Sequence, residues 1–454
     1  MKRFDKRKKL LAAAALVLAA VIALSVIKGG TGSAERDKLF PSAYALAAPT
    51  YPAMPQYPSD DPGNERAVSK WQAGLSMQNR DNGYAAGLEP VMHGLMQQML
   101  LENDGENAVC SPLNIYMALA MLAECTDGNS RAQILSLLGD ADLASLRARV
   151  DDLWNDTYRE DGLMNRVLAG AVWLDKGFPF HQETLDTLAQ HYYAASFQGD
   201  MGTEAYNQAL RDWLNAQTGG MLQDQIGGLA FDEEAVLALI TTVYFKGLWA
   251  SGGFVNNATK TETFHGAKGD ADCQMMHGSG EMYYYWGEHF TAVISSFQSG
   301  GMRFILPDEG YTPEDLLRDP EALAFMTTGS LDQWQNRRHL KVNRSIPRFD
   351  VKNQATLEPA MQALGISDVF VGGIADFSPV SEHQLYLSAA LHGVRVKIDE
   401  DGCEGAAYTM MTATPTAGAP QKVEEIDFIA DRPFLFVVTT GSGLPLFSGI
   451  VNQP

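Results

Sequence analysis

The chain has few of the residues that mark a metal, redox or nucleic-acid protein. Among its 454 residues there are only four cysteines, at 110, 125, 273 and 403. They form no CxxC pair and have no zinc-type spacing. Cys110 and Cys125 lie in apolar runs, and with Cys273 they read as buried free thiols. Cys403 falls in a long loop and is the thiol to test for reactivity. Positive charge is also scarce, with 34 Lys and Arg against 55 Asp and Glu, a net charge of −21. That argues against nucleic acid or an anionic membrane surface as partner. None of the nine histidines belongs to an HExxH pattern or stands four residues from another. There is no G-x-S-x-G elbow, no P-loop and no G-x-G-x-x-G opening a helix. The acidic pairs Asp151-Asp152 and Glu233-Glu234 suit helix capping or solvation. Nothing nominates a catalytic residue, a metal or a cofactor, and the chain reads as a non-enzyme.

What is present is a large apolar fraction, 46%, with 20% charged residues, enough for an extensive core. Lys2, Arg3, Lys6, Arg7, Lys8 and Lys9 precede an apolar run at 10–27 that only Ser25 interrupts. Residues 1–34 therefore read as a secretory signal, or as a membrane anchor, since the run is just long enough to span. Export follows from either reading, with the product released or tethered at the cell surface. Residues 35–85, Pro-rich and acidic around 49–64, read as a flexible linker, and 86–454 as one domain.

Within that domain, periodicity predicts helices at 88–101, 114–123, 131–138, 182–193, 205–218, 313–317, 330–337 and 355–364. Ser111-Pro112 supplies an N-cap and first-turn proline for the second of these. Strands are expected at 107–110, 167–174, 234–249, 282–286, 292–297, 302–306, 345–351, 386–398, 434–439 and 446–451. Helices and strands mix without regular alternation, which indicates an α+β fold.

The stretch 398–433 stands apart. It is a long segment between two strand-like runs, and such loops inside compact domains are usually functional or disordered. Cys403, Gly405, Ala407 and Thr409 alternate with Glu404, Ala406, Tyr408 and Met410. As a strand it would carry small side chains on one face. His392, on the apolar strand before it, reads either as a satisfied core histidine or as a hydrogen-bond partner that controls opening of a sheet.

An ordered set of motifs resembles the serpin family of serine protease inhibitors. It comprises Asn107-Ala-Val-Cys-Ser-Pro-Leu-Asn-Ile115, Gly128-Asn129-Ser130, Phe245-Lys246-Gly247 with Trp249, and Ile346-Pro347-Arg348-Phe349. Leu364-Gly365-Ile366, Ala375-Asp376-Phe377-Ser378, Arg432-Pro433-Phe434-Leu435-Phe436 and Leu446-Phe447-Ser448-Gly449 follow in order. The resemblance implies a large central mixed β-sheet, two further sheets, about nine helices and an exposed reactive-centre loop at about 400–424. It implies that a protease cleaves this loop and that the loop's N-terminal half then enters the central sheet, trapping the acyl-enzyme.

By the family's pattern the hinge comprises Glu400, Gly402, Cys403, Glu404, Gly405, Ala406, Ala407 and Thr409. Its inward set (Cys403, Gly405, Ala407, Thr409) is uniformly small, which favours an inhibitor over a non-inhibitory, binding or structural serpin. Cys403 stands where Thr or Ser is usual and Gly405 where Ala is. Ser111, Asn114, Thr241 and His392 match the region where the sheet parts, with Asn114 in place of Ser and Thr241 in place of Asn. Trp249 marks the top of that sheet. Counting from Glu400 puts the reactive bond at Thr416-Ala417; counting back from Pro433 gives Ala419 or Lys422. Small uncharged bait suits an elastase-like or subtilisin-like serine protease. A cut at Lys422 would mean a trypsin-like target, and a cysteine protease is a further alternative. The family default is a monomer, and no basic run suggests a polyanionic cofactor.

Overall fold

In the computed structural model the described residues are 40–76, 85–250, 253–388, 390–403 and 424–454. In chain order the strands are β1 Ala45–Ala47, β2 Ala108–Cys110, β3 Arg159–Glu160, β4 Met164–Asp175, β5 Ala194–Gly199 and β6 Leu237–Leu248. They continue with β7 Lys260–Gly266, β8 Gly269–Trp286, β9 Phe290–Ser296, β10 Gly301–Pro307, β11 Arg337–Pro347 and β12 Phe349–Thr356. The last are β13 Leu391–Ile398, β14 Gly402–Cys403, β15 Glu425–Ile429, β16 Phe434–Thr439 and β17 Pro445–Val451.

Eight of these form a central mixed sheet in the order β1-β5-β4-β6-β14-β13-β12, with β3 pairing β4. The other nine form one ladder, β15-β11-β8-β9-β10-β16-β17-β2, with β7 beside β8. The strands expected in two further sheets are thus joined, because the 18-residue β8 pairs β11 along most of its length and β9 at its end. Eleven α-helices are described, against about nine expected. One, Pro112–Cys125, packs between β6 and β17 and is buried on every residue but Ala118. Its all-round apolar sequence is what a helix sandwiched between two sheets requires. Ser111 caps it, accepting from Asn114 N.

On the opposite, outer face of the central sheet lies the Glu204–Gln217 helix. Tyr206 and Trp213 meet Trp173 of β4 at ring-centroid distances of 5.3 and 6.2 Å. That face carries its own cluster, completed by Phe197, Leu222 and Ile226.

Several elements differ from the sequence reading. No helix forms at 330–337; the helix is Pro320–Thr327, capped by Asp319 with Pro320 in its first turn. Residues 331–336 turn into β11, where the Trp334 indole donates to Trp286 O at 3.2 Å. The helix expected at 355–364 shrinks to Glu358–Ala363, because β12 runs on through Thr356 to pair with β13. β13 starts at Leu391 rather than 386; before it, Leu387 N bonds Val369 O instead of a neighbouring strand.

The stretch read as a flexible linker is, over 40–76, packed on the body. β1 adds an antiparallel edge strand to β5. The Tyr51 ring lies 5.0 Å from Trp154 and 5.5 Å from Tyr158, and Tyr57 N donates to Asp161 O at 2.7 Å. The aromatic residues scattered through this Pro-rich segment supply the burial that its composition conceals. The helix Glu65–Ser76 buries Trp71 against Tyr57. The proposed anchor at 10–27 lies outside the described residues.

Candidate functional site

The site is a seam in the central sheet. On one side β6 pairs β4 in unbroken register from Met164↔Gly247 to Leu174↔Leu237. On the other, β13 pairs β12 from Phe349↔Ile398 to Thr356↔Leu391. Among the described ladders β6 and β13 are joined only through β14, with Gly402↔Leu248, Cys403↔Gly247 and Ile398↔Cys403, all antiparallel. Gly402 and Cys403, near the start of the long loop, are therefore seated as a rung between the two strands.

The seating is specific. A Cβ on Gly402 would stand 2.2 Å from Gly247 O and 3.0 Å from Leu248 Cα, both backbone, so only glycine fits. The turn into this rung is tied by Asp399, whose carboxylate accepts from Asp401 N at 3.0 Å and Gly402 N at 3.2 Å. Trp249 closes the end of the seam. Its backbone N donates to Asp401 O and its indole to Asp399 O at 2.8 Å, while the ring stacks on Phe297 at 4.8 Å.

Glu400 is buried beside the turn and accepts from Arg348 through Nε at 3.0 and 2.9 Å and through NH2 at 2.6 Å; Thr259 also donates to it. Burial alone would raise the Glu400 pKa, but these hydrogen bonds outweigh it and hold the carboxyl below its usual range.

Further along, Ser111, Asn114, Thr241 and His392 come together as the sequence suggested. Ser111 N donates to His392 Nε2 at 3.0 Å, and Ser111 Oγ to Leu446 O at 2.6 Å. Asn114 Nδ2 donates to Thr241 O at 3.2 Å and Thr241 Oγ1 to Asn114 O at 3.4 Å. His392 is buried, and burial lowers its pKa to about 4. An acceptor Nε2 and a depressed pKa both mean a neutral ring protonated at Nδ1. Its Nε2 partner is the N-cap of the central helix, and the bond joins β13 to the core. Thr241, replacing an amide, bonds through backbone and hydroxyl and so keeps the link between β6 and that helix.

All four cysteines are buried and none is in a disulfide. Cys403 is a rung of the sheet rather than a loop thiol, because β14 begins one residue before it. Of the remaining hinge positions, Glu404, Gly405, Ala406, Ala407 and Thr409 lie outside the described residues. So do the reactive-bond candidates Thr416, Ala417, Ala419 and Lys422. Sequence reasoning assigned no role to Arg348, Thr259 or Asp399. Arg348 stood in a quoted motif, but its partner is distant in sequence and no local pattern pairs them.

A large mixed sheet, with the two-residue strand β14 between β6 and β13, is the architecture on which these residues sit. The family model described as "Serpin (serine protease inhibitor)" matches residues 91–454, and the chain belongs to the serpin family. It is 29% identical to mouse neuroserpin over 77% of this chain and 87% of that protein. It is also 29% identical to the leukocyte elastase inhibitor of Sus scrofa, over 78% of this chain and 94% of that one. The solved structure of the thermophilic serpin tengpin in its native state superposes with a TM-score of 0.71. That match is at 24% identity and covers 83% of this chain and 95% of tengpin. The likeness to tengpin bears on the fold; the family model bears on the class, protease inhibition.

Proposed function

We propose that the chain is an exported suicide-substrate inhibitor of serine endopeptidases with small primary-specificity pockets, elastase-like or subtilisin-like. The observation that carries the reading is the Gly402–Cys403 rung, a strand that pairs with β6 and β13 at the point where the described residues of the loop end. If cleavage frees the loop, continuing that register brings position 406 level with Tyr244 and Arg395, and position 409 level with Thr241 and His392. The inward positions 405, 407 and 409 are Gly, Ala and Thr, small enough to enter over the core. Each new rung adds backbone hydrogen bonds to both neighbours, and the acyl-enzyme attached at the cut is carried along before hydrolysis. The reactive bond is Thr416-Ala417 in this reading. The relative named as a leukocyte elastase inhibitor agrees with a small-pocket target.

The protein acts as a monomer, at the cell surface or released, as the basic and apolar N-terminal residues suggest. The test is to mix the full chain with an elastase-like protease and, separately, subtilisin, on denaturing gels. A covalent band near the summed mass is expected, with the released peptide starting at Ala417. Clean clipping by both, with each protease left fully active, would contradict the reading. The full chain is used, because β1 at Ala45–Ala47 is part of the central sheet.

A further inference from the structure

The outer face of the seam is bridged by a contact that the family resemblance does not assign. After the Glu204–Gln217 helix, residues 219–226 cross the face of β6. Gly219, at φ +59°, packs its backbone on the Tyr244 ring of β6. Leu222 and Ile226 are buried in the outer cluster beside Ala238 and Ile240. From the other side of the seam, Arg395 of β13 donates to Met221 O at 3.0 Å and approaches the Asp224 carboxylate at 3.8 Å. The same guanidinium grips Asp350 of β12 with two parallel bonds, Nε–Oδ1 2.8 Å and NH2–Oδ2 2.6 Å. These bonds hold the Asp350 carboxyl below its usual range. Alternation along β13 puts His392, Val394, Val396 and Ile398 inward and Arg395 outward.

We infer that Arg395 is a clasp on the closed seam that sets how fast the sheet admits a strand; this rests on the insertion proposed above. Admitting a strand moves β12 and β13 away from β6 as a unit. Arg395 travels with them, locked to Asp350. The 219–226 segment stays with β6, held by Leu222, Ile226 and the Tyr244 contact. The bond to Met221 O therefore breaks before the seam can widen at that level, where position 406 must pass. A bidentate Arg–carboxylate pair is geometrically fixed, so the guanidinium cannot simply swing to follow. Losing a hydrogen bond from a charged donor is worth enough to change the opening rate about tenfold.

The probe is a synthetic peptide of residues 403–416 offered to the intact full chain. Its uptake is followed by native gel shift, and the clipped-to-trapped ratio with subtilisin is measured in parallel. Arg395→Met should take up peptide about tenfold faster and leave a smaller clipped fraction. Asp350→Asn, which frees the guanidinium without removing it, should fall between Arg395→Met and the unaltered chain. As a control, Lys176→Met, which removes an exposed ion pair with Asp200 at 2.5 Å, should match the unaltered chain, which separates the clasp from general loss of an ion pair. Equal uptake rates for Arg395→Met, Asp350→Asn and the unaltered chain would overturn the clasp while leaving insertion intact. If Arg395→Met fails to fold, Asp350→Asn alone decides. No uptake by any variant, together with no trapping, would overturn the insertion reading and the clasp with it.

Discussion

The two sides of β6 are built on opposite principles. Toward β4 it is zipped by a continuous antiparallel ladder from Leu237 to Gly247. Toward β13, among the described residues, it is joined by a two-residue rung and by side-chain contacts, Asn114 with Thr241, Ser111 with His392 and Arg395 with Met221. A backbone ladder is indifferent to side-chain identity and opens only as a whole. A seam held by individual side chains can be opened and tuned one substitution at a time. The contrast marks the joint that the proposed insertion would open and predicts where mutations would then change function rather than stability alone.

The largest expected effect comes from Gly402→Val. Its side chain would be driven into Gly247 O, so the rung cannot form beside β6. Trapping should fall at least about tenfold relative to clipping, read on denaturing gels; the same substitution at Gly393, where no atom lies within 4 Å of the added Cβ, should not change the ratio.

Next, Arg348→Met leaves the Glu400 carboxylate buried with Thr259 as a remaining partner. Removing one member of a buried pair is costly, but Arg348 itself is half exposed, so a loss of about 1–2 kcal/mol is expected in denaturant melts. Glu400 is held below its normal pKa, so its contribution is present above about pH 4.5 and is lost as pH falls through the lower folded value.

His392 gives a separate acid window. Its pKa is about 4 in the fold and about 6.5 when exposed. Between these values the unfolded chain holds a proton that the fold does not. Stability therefore drops as pH falls from about 6.5 to about 4 and levels off below. His392→Gln should remove that slope from a plot of melting temperature against pH; an unchanged slope would place the proton elsewhere.

The smallest effect on function is expected from Tyr51→Ala, remote from the seam. Losing its ring from Trp154, Tyr158 and Tyr193 should cost about 1–2 kcal/mol of stability with an unchanged clipped-to-trapped ratio. A changed ratio would mean that the two sides of β6 are not independent.

Much of this joint was legible in the sequence. Ser111-Pro112 announced a capped helix, and of the small-residue alternation only Cys403 falls within the described residues, where it lies in β14. The ordered motifs pointed to Trp249, Glu400 and His392. What was not legible depends on distant pairing. Arg348 with Glu400 and Arg395 with Met221 join residues far apart in the chain, and neither leaves a periodic trace. The Pro-rich stretch misled for a related reason, since Tyr51, Tyr57 and Trp71 find their partners only in the folded body. The helix placed at 330–337 lost to Pro320–Thr327, where an Asp-Pro start is the stronger local signal.

The measurement that bears most directly on the seam is amide hydrogen exchange on the full chain before and after a single cut in its loop. Insertion predicts that amides of β6 and β13 facing each other, at 237–246 and 391–397, gain strong protection after the cut, while the β4–β6 ladder is unchanged. Cleavage that leaves both strands exchanging as before would contradict the account.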